Sequence, residues 1–328
     1  MKIIAPNIKQ IQKLRTQIEK FILNTPTVRC PSIESELDFK TEVFAKLEFL
    51  QQTGSFKVRA TLAALESLSK TKLKDGVVAV SAGNHAIATA YAACVFDTSA
   101  KVIVTPSTNP YRISSCKSYG AEVTIAKNIH HAFDLANQLQ EIENRFFLHP
   151  FEGPTVALGT GTIGLEVCEQ ITDFDSIIIP VGGGGLIGGL SNAVKQLKPN
   201  AEIIGVEPTG ADSMHRSFES GFADCLIKPM DTIADSLGAP FAMPYSYELA
   251  KKNIDRLTMV NDLELKKTMG KLFQTMKIAV EPACAASTAA LLGPLRESMR
   301  GKKVILFMCG SNIDWSSFYQ HVIFENVS

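Results

Sequence analysis

The chain lacks the features that direct a protein to a membrane or to nucleic acid. No apolar run among its 328 residues reaches the ~18–20 residues that a helix needs to span a bilayer. Its 33 basic and 33 acidic residues balance, so no bulk charge favours nucleic acid or an anionic membrane surface. The N-terminus reaches Pro6 and polar residues before any signal-type apolar region develops. We therefore expect no nucleic acid and no membrane among its partners.

Cysteine pairs are also missing. The seven cysteines are scattered, odd in number and form no Cys-x-x-Cys pair. This usage indicates reduced thiols in a cytoplasmic protein and argues against a disulfide framework or a zinc site. His130 and His131 are adjacent in a predicted helix, where neighbouring positions do not share a face, so they are not predicted to bind a metal together.

What the chain has is an alternation of strands and helices. Short apolar runs, with helical segments between them, recur at 76–80, 101–105, 121–125, 146–148, 176–181, 202–206, 257–260 and 303–308. Continuous apolar strands that alternate with helices indicate parallel sheets covered on both faces. The predicted class is α/β, with parallel or mixed twisted sheets flanked by helices and an active-site cleft between them.

Two domains are predicted from this alternation. Residues 75–148 form a small α/β domain, inserted into a large domain made of residues 1–74 and 149–328. Ligands collect where the carboxyl ends of parallel strands meet, so the cleft between the domains is the expected site. The small domain is expected to close over the substrate there.

The most informative stretch runs from Gly54 to Arg59, just ahead of a predicted helix. It places Lys57 beside the Phe56 ring and a hydroxyl, with a second cation at Arg59. A lysine amine loses its proton readily when it is buried or set near another positive charge, and it then forms Schiff bases with carbonyls. An aromatic neighbour suits a planar cofactor such as pyridoxal phosphate. Without other evidence, such a run most often indicates only the start of a helix with a solvent-exposed lysine and arginine.

Four consecutive glycines, Gly182 to Gly185, follow a predicted buried strand and open a helix. Without side chains, several backbone N–H groups can converge on an anion there, and the helix dipole adds partial positive charge. No lysine follows the run, so it is not a P-loop. A flexible turn is the alternative, but four glycines carry a large entropic cost. We predict a phosphate site.

The same glycine run allows a second interpretation. Gly183 to Gly188 also satisfies the pattern Gly-x-Gly-x-x-Gly after a strand, and Glu207 ends the next strand at the ~20-residue spacing of a ribose-binding acid. On this segment alone a nicotinamide dinucleotide site is credible. A dinucleotide site gives no role to Lys57, whereas a phosphorylated aldehyde cofactor would use both Lys57 and the glycine run.

Other small-residue turns stand at predicted strand ends. Residues Ser81 to His85 join a strand to a helix, which offers backbone N–H groups to a carboxylate and the Asn84 amide to a hydroxyl or phenolate. An N-cap serine followed by a helix-opening asparagine explains the same turn equally well. Glu281 begins another small-residue helix, and Cys309 ends the last strand. Singly these turns are weak signals, but together they indicate one site.

Together these stretches resemble the fold-type II pyridoxal-phosphate enzymes, which are similar to the tryptophan synthase β subunit, and within them the serine/threonine dehydratase and serine racemase group. The resemblance implies that Lys57 forms the Schiff base with pyridoxal phosphate, that the glycine run holds the phosphate and that Cys309 faces the pyridine nitrogen. The implied cofactor contacts are Phe56, Lys57, Asn84, Gly182, Gly183, Gly184, Gly185, Leu186 and Cys309, and the implied substrate contacts are Ser81, Ala82, Gly83, His85 and Glu281.

The resemblance also implies a reaction, the β-elimination of L-threonine, L-serine or both to a 2-oxo acid and ammonia. Racemases of the group resemble Ser-Ser-Gly-Asn-His at the turn, where the serine before the glycine acts as a base opposite the lysine. Ala82 stands there in this chain and cannot move a proton, which favours elimination over racemisation. Ile87 and Thr160 replace frequent glutamines of the group, which indicates an unusual substrate preference.

Several alternatives stay open at this point. They are a dehydratase for 3-hydroxyaspartate or a bulkier β-hydroxy amino acid, a serine racemase, a β-replacement synthase and, from a different class, a nicotinamide-dependent oxidoreductase. Some members of the group bind a divalent cation at positions that match Glu207, the Ala211 carbonyl and Asp212. Ser213 stands where the third carboxylate is expected, so we do not predict a metal here. A homodimer or homotetramer is expected.

Overall fold

The computed structural model describes residues 3–37 and 40–323, which form two sheets flanked by helices. The larger sheet contains β1 (Thr27–Arg29), β2 (Glu42–Leu47), β7 (Ser176–Pro180), β8 (Glu202–Pro208), β9 (Arg256–Val260) and β10 (Lys303–Met308). Its strand order is β1-β2-β10-β7-β8-β9, and the pairs are parallel apart from the antiparallel β1 and β2. The smaller sheet contains β3 (Val77–Val80), β4 (Ala100–Val104), β5 (Glu122–Ile125) and β6 (Phe146–Phe147). It is parallel, in the order β5-β4-β3-β6.

Helices cover both sheets. In chain order they are α1 (Ile8–Ile18), α2 (Pro31–Glu34), α3 (Lys57–Glu66), α4 (Lys70–Lys74), α5 (Asn84–Val95), α6 (Pro110–Ser118), α7 (Ile129–Glu143), α8 (Pro154–Gln170), α9 (Gly185–Leu197), α10 (Ser213–Ser220), α11 (Pro244–Asn253), α12 (Asp262–Met276), α13 (Pro282–Leu292) and α14 (Trp315–Val322). Short 3-10 turns lie at Glu19–Phe21, Glu48–Leu50, Asp235–Leu237 and Glu297–Met299. In the described part of the chain, no helix has both the length and the apolar character to cross a bilayer.

The predicted α/β class, with parallel and mixed sheets, is confirmed. Every residue of the central strands β3 and β7 is buried, because these apolar strands have helices against both faces. The eight predicted strands are present, and their ends differ from the prediction by at most two residues. The smaller sheet lies wholly within the predicted inserted segment 75–148. Its movement as a separate domain stays a prediction.

The apolar pattern did not predict β1 and β2. A charged residue interrupts the pattern of β2, because Lys46 occupies one of its fully buried positions. Its amine lies 2.6 Å from the carboxylate of Glu166 on α8, a partner distant in the sequence. A buried charge needs such a partner, and the local sequence does not reveal it.

A buried cluster of four charges connects the larger sheet to α3 and α8. The Arg59 guanidinium lies 2.8 Å from Glu48 Oε1 and 2.7 Å from Glu166 Oε1. Lys46 pairs with the second oxygen of Glu166. All four side chains are buried, and their two positive and two negative charges balance. Because Arg59 lies two residues after Lys57, the cluster fixes the start of α3 to the rest of the fold.

We predict that Arg59→Ala lowers the free energy of unfolding by about 3–5 kcal/mol, because it leaves two buried carboxylates without their shared cation. Urea unfolding of the purified protein measures this loss. The matched control is Arg29→Ala, which removes a solvent-exposed partner of Glu34 and should cost far less. Equal losses in the two variants would contradict the prediction.

Candidate active site

One cavity of about 730 Å³ opens where strands of both sheets end. The turn after β3, the glycine run after β7 and the residue after β10 all reach it, together with the start of α3. The fourteen residues predicted to contact cofactor or substrate all line this cavity. The structure therefore brings together residues that lie more than 250 positions apart in the chain, from Phe56 to Cys309.

Lys57 is the first residue of α3, and its amine is buried in the wall of the cavity. The amine donates a hydrogen bond to the Pro150 carbonyl at 2.6 Å and lies 5.2 Å from the centre of the Phe56 ring. Burial lowers the pKa of Lys57 to about 8, although the nearby Cys309 and Glu281 act in the opposite direction. A substantial fraction of the amine is therefore neutral near physiological pH, as a nucleophile or base requires.

The glycine run forms a tight turn at the start of α9. Gly184 has a φ of +87°, and a Cβ there would lie 2.6 Å from the Met214 methyl group. A Cβ on Gly183 would overlap the Phe151 ring, and one on Gly185 would overlap the Phe151 backbone. The run therefore has both the conformation and the close contacts that require glycine, and its N–H groups stand at a helix N-terminus suited to an anion.

The Asn84 amide forms a buried network across the cavity wall. Its Nδ2 donates to Glu281 Oε1 at 2.7 Å and to Ser236 Oγ at 3.3 Å, while its Oδ1 accepts from Asn312 Nδ2 at 2.6 Å. The turn pattern suggested an amide free for a phenolic oxygen. In the structure the amide has these partners instead, because a buried amide must have its hydrogen bonds satisfied. Its role in holding a cofactor stays a prediction.

Two acidic groups of the site have raised pKa values. Burial raises the pKa of Glu281 to about 7, against the lowering effect of Arg112. A hydrogen bond with Cys284, together with burial, raises the pKa of the Cys309 thiol well above its usual value. Cys309 is therefore a neutral thiol, which suits the predicted position opposite a pyridine nitrogen.

Arg112 is a site residue that the sequence patterns did not predict. It comes from α6, beside the smaller sheet, and its Nη1 lies 2.5 Å from Asp235 Oδ2. Its Nε donates to the Asn312 carbonyl at 3.1 Å. Asp235 and Asn312 belong to the larger sheet's side, so this contact joins the two sides across the cavity. A single arginine in a helix carries no spacing signal that would have revealed it.

Apolar side chains line the mouth of the cavity on both sides, and these were also not predicted. Ile129 and Phe133 come from α7, and Met230 and Phe241 from the segment between α10 and α11. Between 40% and 48% of each residue's surface is exposed. Large apolar groups left exposed at the rim of a cavity are typical of a ligand-binding surface.

Glu207 does not line this cavity, and its carboxylate is bound by residues at the start of α10. Its buried carboxylate accepts from the Met214 and His215 N–H groups, both at 2.8 Å, and lies 2.6 Å from His215 Nδ1. The carboxylate is therefore not free for a ribose. Among residues 3–37 and 40–323, no cluster of three or more His, Cys, Asp or Glu side chains is placed to hold a metal ion.

Geometry of this kind, with a buried lysine of lowered pKa, a side-chain-free anion turn and a neutral thiol at the strand ends, is typical of an enzyme that uses a phosphorylated aldehyde cofactor. A family model described as "Pyridoxal-phosphate dependent enzyme" matches residues 18–310, so the chain belongs to this family. The predicted family, fold type and cofactor are thereby confirmed. The nicotinamide alternative has no support from the family match.

Comparison with individual proteins narrows the group to dehydratases and racemases. Over 97% of its length the chain is 44% identical to phenylserine dehydratase from Ralstonia pickettii, of which it covers 96%. Over 83% it is 38% identical to L-threonine ammonia-lyase from Thermotoga maritima, of which it covers 68%. The structure of maize serine racemase is similar with a TM-score of 0.91 and 28% identity, over 97% of each chain.

The cavity fits pyridoxal phosphate. The glycine run, in which Gly183 and Gly185 leave no room for a Cβ, is a cradle for the phosphate, and the lowered pKa of the Lys57 amine suits it to the aldehyde. Phe56 lies beside that amine and in edge contact with Phe307, so its ring is held in place.

In the apoenzyme, the side-chain amine of Lys57 should become reactive near pH 8. Competitive acetylation read by mass spectrometry should show half-maximal labelling of Lys57 at about pH 8, because burial favours the neutral amine. Lys303 is the control, since a hydrogen bond to Asp173 raises its pKa above 10.5. Half-maximal labelling of both lysines above pH 10 would show that Lys57 is not perturbed.

Gly184→Ala should weaken pyridoxal phosphate binding by at least about tenfold, because the new methyl group meets Met214 and distorts the anion turn. Fluorescence titration of the apoenzyme with the cofactor measures this. Gly221→Ala is the matched control, since Gly221 has a φ of +84° and a methyl group added there would meet no atom within 4 Å. Both variants carry similar backbone strain, so equal cofactor affinities in the two would refute the assignment.

Proposed function

We propose that this protein dehydrates β-hydroxy-α-amino acids that carry a large apolar side chain, with 3-phenylserine as the representative substrate. The products are a 2-oxo acid and ammonia. The observation that carries the proposal is the apolar rim formed by Ile129, Phe133, Met230 and Phe241. The side chain of serine or threonine is too small to cover such a rim, whereas a phenyl ring buries a large apolar area. The identity of 44% with a phenylserine dehydratase supports the same substrate class.

Different residues of the chain have separate roles in the reaction. When bound, pyridoxal phosphate supplies an electron sink for negative charge at the α-carbon. Lys57 would hold the cofactor, and its neutral amine removes the α-proton of the substrate. The backbone N–H groups of the turn from Ser81 to His85, at the N-terminus of α5, bind the substrate carboxylate. The α-proton and the β-hydroxyl are lost together as one water, and a second water hydrolyses the unsaturated amine to the 2-oxo acid and ammonia.

Elimination is favoured over racemisation at this site. Ala82 lines the cavity, and its methyl group can neither give nor take a proton. Racemisation needs a second acid or base on the face of the α-carbon opposite Lys57. The structural similarity to a serine racemase therefore supports the fold and the cofactor more than the reaction. L-Threonine and L-serine are the second substrate candidates, supported by 38% identity with an L-threonine ammonia-lyase.

A substrate panel tests the proposal directly. The holoenzyme should release 2-oxo acid and ammonia from 3-phenylserine with a kcat/KM at least about tenfold above the values for threonine and serine. Phe133→Ala should raise KM for 3-phenylserine by about tenfold and change kcat/KM for serine little, because only the phenyl ring reaches the rim.

Phe222→Ala is the matched control, since Phe222 is exposed and does not line the cavity. It should leave both substrates unaffected. A wild-type preference for serine or threonine would reject the bulky substrate class. Accumulation of the opposite enantiomer, without 2-oxo acid, would reject elimination.

A further inference from the structure

The segment from His149 to Phe151 lies between the two anchors of the site. On one side, the Pro150 carbonyl accepts the hydrogen bond of Lys57. On the other side, Phe151 covers two glycines of the anion turn, Gly183 and Gly185. His149, at the head of the segment, also lines the cavity. A group that lies between the amine and the phosphate cradle therefore faces this segment.

The imidazole of His149 has one defined tautomer. Its Nδ1 accepts hydrogen bonds from the N–H groups of Phe151 at 3.2 Å and Glu152 at 3.0 Å, so the ring proton is on Nε2. Edge contacts with Phe147 and Phe151 hold the ring plane. Burial, followed by the charge of Lys57, lowers the pKa of His149 to about 4. The ring is therefore a neutral hydrogen-bond donor throughout the physiological pH range.

No acceptor for this donor is present within residues 3–37 and 40–323. Two other hydrogen-bond donors of the cavity wall already have partners. The Asn84 amide donates to Glu281, and the Arg112 guanidinium pairs with Asp235. A donor with a fixed tautomer and no protein acceptor, on the wall of a ligand cavity, is placed to bind a ligand oxygen.

We propose that His149 recognises the β-hydroxyl of the substrate, with Nε2–H donating to the hydroxyl oxygen. This inference rests on the proposed function. A substrate whose α-carbon is bound beside the Lys57 amine has its β-hydroxyl one carbon away, near the segment from His149 to Phe151, whose Pro150 carbonyl accepts from that amine. A hydrogen bond there selects substrates that have a leaving group, and it stabilises the charge that develops on the oxygen as the C–O bond breaks and the hydroxyl gains a proton to leave as water.

Two amino acids without an α-proton test recognition separately from turnover. α-Methyl-3-phenylserine and α-methylphenylalanine differ only in the hydroxyl, and Lys57 cannot begin elimination on either. Titration of the holoenzyme, followed by the change in cofactor absorbance, yields both dissociation constants. The wild type should bind the hydroxylated compound about five- to tenfold more tightly, which is the effect of one net hydrogen bond.

His149→Asn should remove this preference. Its side-chain oxygen can still accept from the Phe151 and Glu152 N–H groups, but the donor at the Nε2 position is gone. His149→Phe should have the same effect and serves as the second variant if the first does not fold. His130→Phe, at an exposed position on α7, is the control and should keep the wild-type preference.

The outcomes separate this inference from the proposed function. If the wild type binds the two compounds equally, or if a folded His149 variant keeps the wild-type preference for the hydroxylated one, the inference is overturned. This holds whichever substrates the enzyme turns over. If no β-hydroxy amino acid yields 2-oxo acid, the proposed function fails, while the binding comparison still reports on His149. Loss of the preference in the His149 variants alone supports recognition of the hydroxyl.

Discussion

The buried guanidinium of Arg59 is the interaction on which the site depends. It binds Glu48 at the end of β2 and Glu166 in the second half of α8, and both carboxylates are out of contact with water. Lys57 begins the same helix two residues earlier, so these ion pairs also fix the position of the backbone that carries its amine. Each charge is tolerated only because its partners are present, and removal of one exposes the others to a large desolvation penalty. The start of α3 is therefore a rigid support for a reactive amine.

Burial in the same region sets the chemistry of the cavity. It lowers the pKa of Lys57 to about 8 and raises the pKa of Glu281 to about 7, so both groups can exchange a proton near physiological pH. A hydrogen bond with Cys284 and burial keep the Cys309 thiol neutral. The N–H groups of two helix N-termini are placed to receive the phosphate of the cofactor and the carboxylate of the substrate.

In the proposed function, the residues that select the substrate differ from those that carry out the reaction. The amine and the anion turn serve the cofactor, whereas the rim side chains Phe133 and Phe241 come from opposite sides of the cavity. Arg112 and Asp235 join these two sides by an ion pair. On this proposal, the distance between the two sides limits the size of the bound side chain.

Features that reside in consecutive residues can be recognised from the amino-acid sequence alone. Lys57 with its aromatic neighbour, the four glycines and the turn from Ser81 are recognisable because a helix start or a tight turn imposes residue types on adjacent positions. The eight apolar strands are recognisable for a similar reason, since burial on both faces demands continuous apolar residues.

Contacts between side chains that are distant in the sequence become visible only in the folded chain. Strand β2 was not predicted, because a lysine in the sequence indicates an exposed position. Lys46 is buried only because the fold places Glu166 beside it. His149 acquired a fixed tautomer from the backbone that turns after it. The Glu207 carboxylate is not available to a ligand, because it is in contact with His215. Burial, pairing and pKa are properties of an assembled environment, and no spacing along the chain encodes them.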